Sequence, residues 1–260
     1  MCGIAGYIGR RGLDQETLSA SLALMRRRGP DHAAIYTHTA PTGRHVCLLH
    51  SRLSIIDLDE RAHQPYRIDS NVLVYNGELY NYVELREELR AAGYDFHTTS
   101  DTEVLLRLIT HGGWRALDRG EGMWAFAMYD EADGSLLLSR DRFGEKPLYL
   151  YRDGTGLYFG SEVKFIAALL GRRLPVNVNH LYRYLVNGYK ALYKGRETFF
   201  QGLEELPAAS VLLLDGQGQE EQRRYWVPVS VQDEAMTYDE AVNEARQALL
   251  RSVELRLRAD

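Results

Sequence analysis

The second residue is a cysteine followed by a glycine, in Met1-Cys2-Gly3-Ile4-Ala5-Gly6. Removal of the initiator methionine would leave a thiol and a free α-amine on the same residue. An α-amine titrates near ~7.7–8.0 and a thiol near ~8.5, so close to neutral pH the amine can be a free base beside a thiol that needs deprotonating. The thiolate is the nucleophile, and an adjacent base is the usual means of producing it. Cysteine is small enough at position 2 to permit methionine removal. Gly3 removes bulk where a substrate carbonyl would approach. The run also has a plainer reading, a small residue at the start of an edge strand.

Other residue types complement a nucleophile. Val72-Leu73-Val74-Tyr75 reads as a strand running into Asn76-Gly77-Glu78. The Asn76 amide and the Gly77 N–H are two donors that could converge on a developing oxyanion, where each is worth roughly 3–4 kcal/mol. Taken alone, the Asn-Gly pair reads as a tight turn. Arg52 follows an apolar strand, and its planar guanidinium suits bidentate contact with a carboxylate. Glu78 and Asp101 could take a substrate ammonium, and with Arg52 they would hold an α-amino acid by both charged ends. A structural salt bridge among the same three residues is the alternative. Asp101 could equally serve only as a first-turn acid of a helix.

These residues must be positioned by a scaffold, and the pattern around them is of short strands with a few helices. Strand-like runs cover 4–8, 45–50, 71–75, 123–129, 135–140, 147–152, 156–160 and 211–214. Asp133-Gly134 and Asp153-Gly154 mark hairpins. Asn81/Glu84, Ser100/Glu103 and Thr237/Glu240 have capping-box spacing before helices predicted over 82–92, 102–110 and 237–260. A further helix is predicted over 162–170, ended by Gly171. Strands outnumber helices and hairpins dominate the middle, which argues for antiparallel sheets with helices packed on them, an α+β layout. The division expected is a domain over 1–215, a linker over 216–236, and over 237–260 the first helix of a second, truncated domain.

Bulk properties narrow the class. At 260 residues, 45% hydrophobic and 26% charged, the chain is an ordinary globular protein able to bury a core. A net charge of −5 gives no reason to expect nucleic-acid binding, and no stretch is long and apolar enough to span a membrane. Two cysteines, Cys2 and Cys47, form no disulfide framework and point to a reducing, cytoplasmic compartment. No two of the eight histidines are close enough in sequence for a zinc motif, there is no Cys-x-x-Cys, and no phosphate-binding glycine motif is present.

Taken together the segments have a familiar order. Cys2–Gly6, Arg28-Gly29-Pro30-Asp31, His50–Asp57, Tyr75–Tyr82, Ser100–Glu103, Glu121–Ala127, Arg140–Tyr149 and Gly160–Lys164 resemble the N-terminal glutaminase domain of glutamine-hydrolysing asparagine synthetases, class II amidotransferases of the N-terminal-nucleophile fold. The resemblance covers nearly all of 1–215. It implies a four-layer αββα sandwich, two antiparallel sheets between helical layers. It implies Cys2 as nucleophile with its α-amine as base, Asn76 and Gly77 as the oxyanion hole, Arg52 on the glutamine carboxylate, and Glu78 and Asp101 on its ammonium. Backbone groups of Leu53 and Ile55 would also touch the substrate. The products would be glutamate and ammonia, the ammonia passing to a synthetase domain that makes asparagine from aspartate. ATP and magnesium belong to that domain, and none is expected for the glutaminase half. A homodimer is left open. Leu206-Pro207-Ala208-Ala209-Ser210 and residues 189–197 depart from the family pattern. These departures leave open an acceptor carboxylate of a natural-product or polysaccharide pathway. A non-catalytic glutamine-binding module and an amidotransferase of aminosugar or purine synthesis are further alternatives, the last fitting Tyr75–Tyr82 and Arg140–Tyr149 poorly.

Overall fold

The computed structural model describes residues 1–189 and 195–258. Of the divergent stretch 189–197, residues 190–194 lie outside the described residues. Two six-stranded, wholly antiparallel sheets form the centre. The first contains β1 (Gly3–Gly9), β2 (His32–Thr39), β3 (His45–Arg52), β8 (Tyr149–Asp153), β9 (Gly156–Gly160) and β10 (Leu203–Glu205), in the order β10-β8-β9-β1-β3-β2. The second contains β4 (Tyr66–Ile68), β5 (Asn71–Leu79), β6 (Gly122–Asp130), β7 (Leu136–Arg140), β11 (Ser210–Leu214) and β12 (Glu220–Arg224), in the order β12-β11-β7-β6-β5-β4.

Both faces of the central strands are buried, which is why they read as continuous apolar runs rather than alternating ones. In β5, Val72 and Val74 face the other sheet, where they join Ile4, Ile8, Val46 and Leu48. Leu73 and Tyr75 point the opposite way, into the layer beneath α2 (Tyr82–Ala91) and α3 (Asp101–Gly112). In β1, Ala5 and Tyr7 face α1 (Gln15–Met25) and α4 (Val163–Leu170). Three apolar layers therefore separate four structural ones, giving the αββα sandwich. Two helices, α1 and α5 (Val178–Asn187), are additional to those the patterning predicts; each is capped by a side chain just ahead of it, Asp14 and Asn177.

Local detail departs from expectation in three places. Asn81 does not cap α2: its amide donates to the Arg119 carbonyl at 3.0 Å and its carbonyl accepts from Glu121 N at 2.9 Å. Ser100 does cap α3, but Glu103 turns to the N–H groups of His97 and Thr98 instead of closing a box. The expected linker over 216–236 gives way at Glu220–Arg224, which pairs with β11 as β12, and at Tyr225, which is buried against Trp124. The expected end at 215 therefore cuts through the sheet. The capping box at Thr237 does form, and opens α6 (Tyr238–Arg256).

His50 ties the sheets together. Its Nε2 lies 3.1 Å from the Tyr75 carbonyl, crossing from β3 to β5. That acceptor requires an N–H on Nε2. Full burial pushes the imidazole pKa down to about 3, so the ring is neutral at physiological pH. The folded value lies below the unfolded one, so unfolding takes up a proton and stability falls as pH drops through ~6.5. The expected loss is about 1.4 kcal/mol per pH unit below ~6. The unfolding free energy of wild type minus that of His50→Gln, which keeps an N–H donor, should fall with this slope in urea denaturation between pH 7 and 5, the other titrating groups being common to both proteins.

Candidate active site

The start of β1, the end of β3 and the far end of β5 meet at one end of the sandwich. The register that sets Gly3 opposite Ser51 brings Cys2 beside Leu53. The Cys2 thiol lies 3.5 Å from the Leu53 carbonyl and accepts from Leu53 N at 3.4 Å. The Cys2 carbonyl accepts from Arg28 Nε at 2.9 Å, and Arg28 is held in turn by Glu162 at 3.0 Å. Gly3 serves this packing: a Cβ there would press on Ser51 Oγ and the Arg28 side chain. That contact, rather than substrate access, is the visible reason for glycine. Burial pushes the Cys2 thiol pKa up, only partly offset by Leu53 N–H and nearby positive charge. A thiol so placed needs a base to become a nucleophile.

Asn76 and Gly77 are not in a turn. They lie inside β5, opposite Ala125 and Trp124 of β6. Gly77 is fixed by the sheet, because a Cβ would overlap the Met123 carbonyl oxygen. Asn76 is 1% exposed, and its Nδ2 is buried without a hydrogen-bond partner. Buried amide donors are nearly always paired, so an unpaired one in a cleft wall points to a ligand atom. The same cleft is lined by Cys2, Glu78, Asp101 and Lys146, with Met1 at its wall.

Asp101 opens α3 and is buried. Its Oδ2 accepts from Leu79 N at 2.9 Å and from Tyr75 Oη at 3.1 Å. Burial raises its pKa to about 6 despite these bonds. Arg52 is buried and reaches the cleft, but its guanidinium donates to the carbonyls of Asp59 (3.0 Å), Ile56 (3.3 Å) and Asp57. Three carbonyls leave two of its five N–H groups for a ligand. The alternative of a salt bridge among Arg52, Glu78 and Asp101 is not formed among the described residues. Arg52 instead fastens the loop that carries Leu53 and Ile55 over the cleft.

Several supports of the site are absent from the sequence reading. Gln64 accepts from Tyr75 N at 2.6 Å and donates to Thr102 Oγ1 at 3.3 Å, joining loop, β5 and α3. Asp31 accepts from Ser54 N at 2.8 Å, which accounts for the end of the Arg-Gly-Pro-Asp segment. Asp141 accepts from the N–H groups of Trp124, Phe143, Glu145 and Lys146, knotting the 140–146 loop that delivers Lys146. Arg28, Asp31, Asp141 and Lys146 lie within segments already singled out; Gln64 carries no sequence signal.

The model of the glutamine amidotransferase domain matches residues 1–226. The chain belongs to the glutamine amidotransferase family. The match ends one residue beyond Tyr225, close to where the second sheet ends. Among curated relatives, this amidotransferase is 31% identical over 282 residues to "Putative asparagine synthetase [glutamine-hydrolyzing] 2" of Methanocaldococcus jannaschii, with 100% of this chain and 53% of that protein aligned. It is 34% identical over 269 residues to "Asparagine synthetase [glutamine-hydrolyzing] 3" of Bacillus subtilis, with 100% and 42% aligned. The chain thus spans about half the length of the curated relatives it matches. The amidotransferase fold is shared with the solved glutamine phosphoribosylpyrophosphate amidotransferase of Bacillus subtilis, at a TM-score of 0.63 and 19% identity over 88% of this chain and 50% of that one.

Asp101 yields a stability test. Its folded value exceeds the unfolded one, so its contribution is greatest below pH ~4 and is lost as pH rises through about 6. A shift of about two units costs on the order of 2–3 kcal/mol at pH 7, before structural relaxation. Asp101→Asn should therefore raise the urea midpoint at pH 7 and leave it little changed at pH 4.

Proposed function

We propose that this chain hydrolyses glutamine to glutamate and ammonia with Cys2 as nucleophile, after removal of Met1. The observation that carries the reading is the unpaired, buried Asn76 Nδ2 in the wall of the cleft that also holds the Cys2 thiol and the Asp101 carboxylate. The α-amine exposed on Cys2 takes the thiol proton. The thiolate attacks the side-chain carbonyl carbon, and the oxygen of the tetrahedral intermediate receives N–H groups of Asn76 and Gly77. Collapse breaks the C–N bond, the α-ammonium returns its proton to the departing nitrogen, and ammonia leaves. Water then cleaves the thioester, restoring the thiol and freeing glutamate. The remaining Arg52 N–H groups take the substrate carboxylate, backbone groups of Leu53 and Ile55 line it, and Glu78 and Asp101 take its ammonium.

The ammonia would pass to an ATP- and magnesium-dependent synthetase domain that amidates aspartate, in a cytoplasmic enzyme. No step of the half-reaction above needs either cofactor. The exposed apolar residues of α6, among them Val242, Leu249 and Val253, fit a helix belonging to a further structural unit.

Intact mass should show Met1 missing and Cys2→Ala should release no glutamate; undiminished glutamate release by that variant defeats the reading. Asn76→Ala should lower kcat by about 10²–10³-fold, with a smaller change in KM. Glutamine binding to Cys2→Ala should weaken as pH falls through about 6, because protonation removes the Asp101 charge that faces the substrate ammonium; calorimetry checks this.

A further inference from the structure

Lys146 is a buried ammonium to which the glutaminase chemistry assigns no task. The residue is 5% exposed and lines the cleft together with Met1, Cys2 and Glu78. Among the described residues no carboxylate lies within ion-pair distance of its Nζ; its neighbour is the Met1 sulfur at 3.4 Å. A buried charge without a partner is costly, and a fold retains one where it serves a ligand or a reacting group. The position is firmly built. Lys146 N is bound to Asp141 at 2.9 Å, and the Lys146 carbonyl accepts from Arg140 Nε at 2.8 Å. The side chain therefore reaches the amino end of the chain from a rigid loop.

We propose that Lys146 is a positioning residue that keeps the α-amine of Cys2 free of a proton at neutral pH. This rests on the reading of Cys2 as the nucleophile. A cation close to an amine opposes a second positive charge, a recognised way of turning an amine into a base near pH 7. The charged groups around the amino terminus come from four places. Arg28 follows α1, Lys146 precedes β8, Glu78 is the penultimate residue of β5, and the Cys2 thiol is adjacent. At the Met1 α-amine, one residue ahead of the Cys2 nitrogen, burial is the largest influence against protonation; the Cys2 thiol favours it, Arg28 and Lys146 oppose it, and Glu78 favours it. Arg52 and Asp101 act on the thiol with opposite signs. Burial, the largest influence, lowers the Lys146 pKa and Arg28 adds to it, while Glu78, Glu145 and Asp141 favour the charged form. Arg28 is ion-paired with Glu162, whereas among the described residues no carboxylate lies within ion-pair distance of Lys146 Nζ, whose side-chain neighbour is the Met1 sulfur.

The test is the pH dependence of Cys2 alkylation by a diazoketone analogue of glutamine, in wild type, Lys146→Met, Lys146→Gln and Lys146→Arg. The limiting rate at saturating analogue is read, so that the Asp101 titration, which acts on binding, drops out. The wild-type acid limb should lie below the ordinary α-amine value of ~7.7. Both neutral variants should move it upward by about one unit, a roughly tenfold loss on the acid side that shrinks as pH rises. Lys146→Arg should restore the limb. Should Lys146→Met fail to fold, Lys146→Gln carries the same comparison, and a wild-type limb at or above ~7.7 overturns the proposal without any variant. A limb that stays in place while the rate falls equally at every pH also overturns it and assigns Lys146 a structural part. If wild type forms no Cys2 adduct, the glutaminase reading falls and this inference with it. An adduct with the same limb in all four proteins removes only the role of Lys146.

Discussion

Tyr75 is where the site is held together. Its three polar groups each bind a different element. The backbone N–H goes to Gln64, the carbonyl accepts from His50 of the other sheet, and the phenol donates to Asp101 at the head of α3. The ring is fully buried among Leu73, Phe126 and Leu105. The residue before Asn76 is therefore fixed in all three directions, the rigidity that the oxyanion role proposed for Asn76 would require.

Burial sets the chemistry of the cleft. There it raises the Cys2 thiol and the Asp101 carboxyl and lowers the Met1 α-amine and Lys146, in every case by disfavouring charge. Such an environment stabilises neutral reactants and awaits charges supplied by the substrate. A zwitterionic amino acid would supply both signs at once, in the proposed reading an ammonium for Glu78 and Asp101 and a carboxylate for Arg52. The scaffold also divides its labour: Asp31, Asp57 and Arg52 fasten the loop above the cleft, while Asp141 fastens the loop beside it.

Much of this was legible in the residues. The central strands announced themselves because both faces are apolar, and the two Asp-Gly hairpins because glycine takes the left-handed or tight position. Cys2, Asn76, Glu78 and Asp101 converge on one cleft as their chemistry suggested. Asn76-Gly77 misled as a turn because the pair is compatible with two backbones, and only the facing strand β6 selects the extended one. Arg52 was read for its charge, whereas its geometry also depends on carbonyls four to seven residues later. Gln64 could not be found at all, since its partners are a strand amide and a helix hydroxyl remote in sequence. Of the helices, α1 had a readable start in Asp14 and apolar spacing at Leu18, Leu22 and Met25, but its mixed polar face obscured it.

β12 was invisible for a different reason. Glu220-Glu221-Gln222-Arg223-Arg224 has no apolar alternation, because as the outermost strand it borrows its order from the β11 main chain. Its charges also guard the margin of the sheet against other strands. A shorter protein ended at residue 215 would shed that guard and bare Ser210–Leu214, a five-residue apolar ribbon with free amides. Such a product invites edge-to-edge pairing with its own copies, so solubility and fibril formation, rather than loss of the Cys2 cleft, become its first failing.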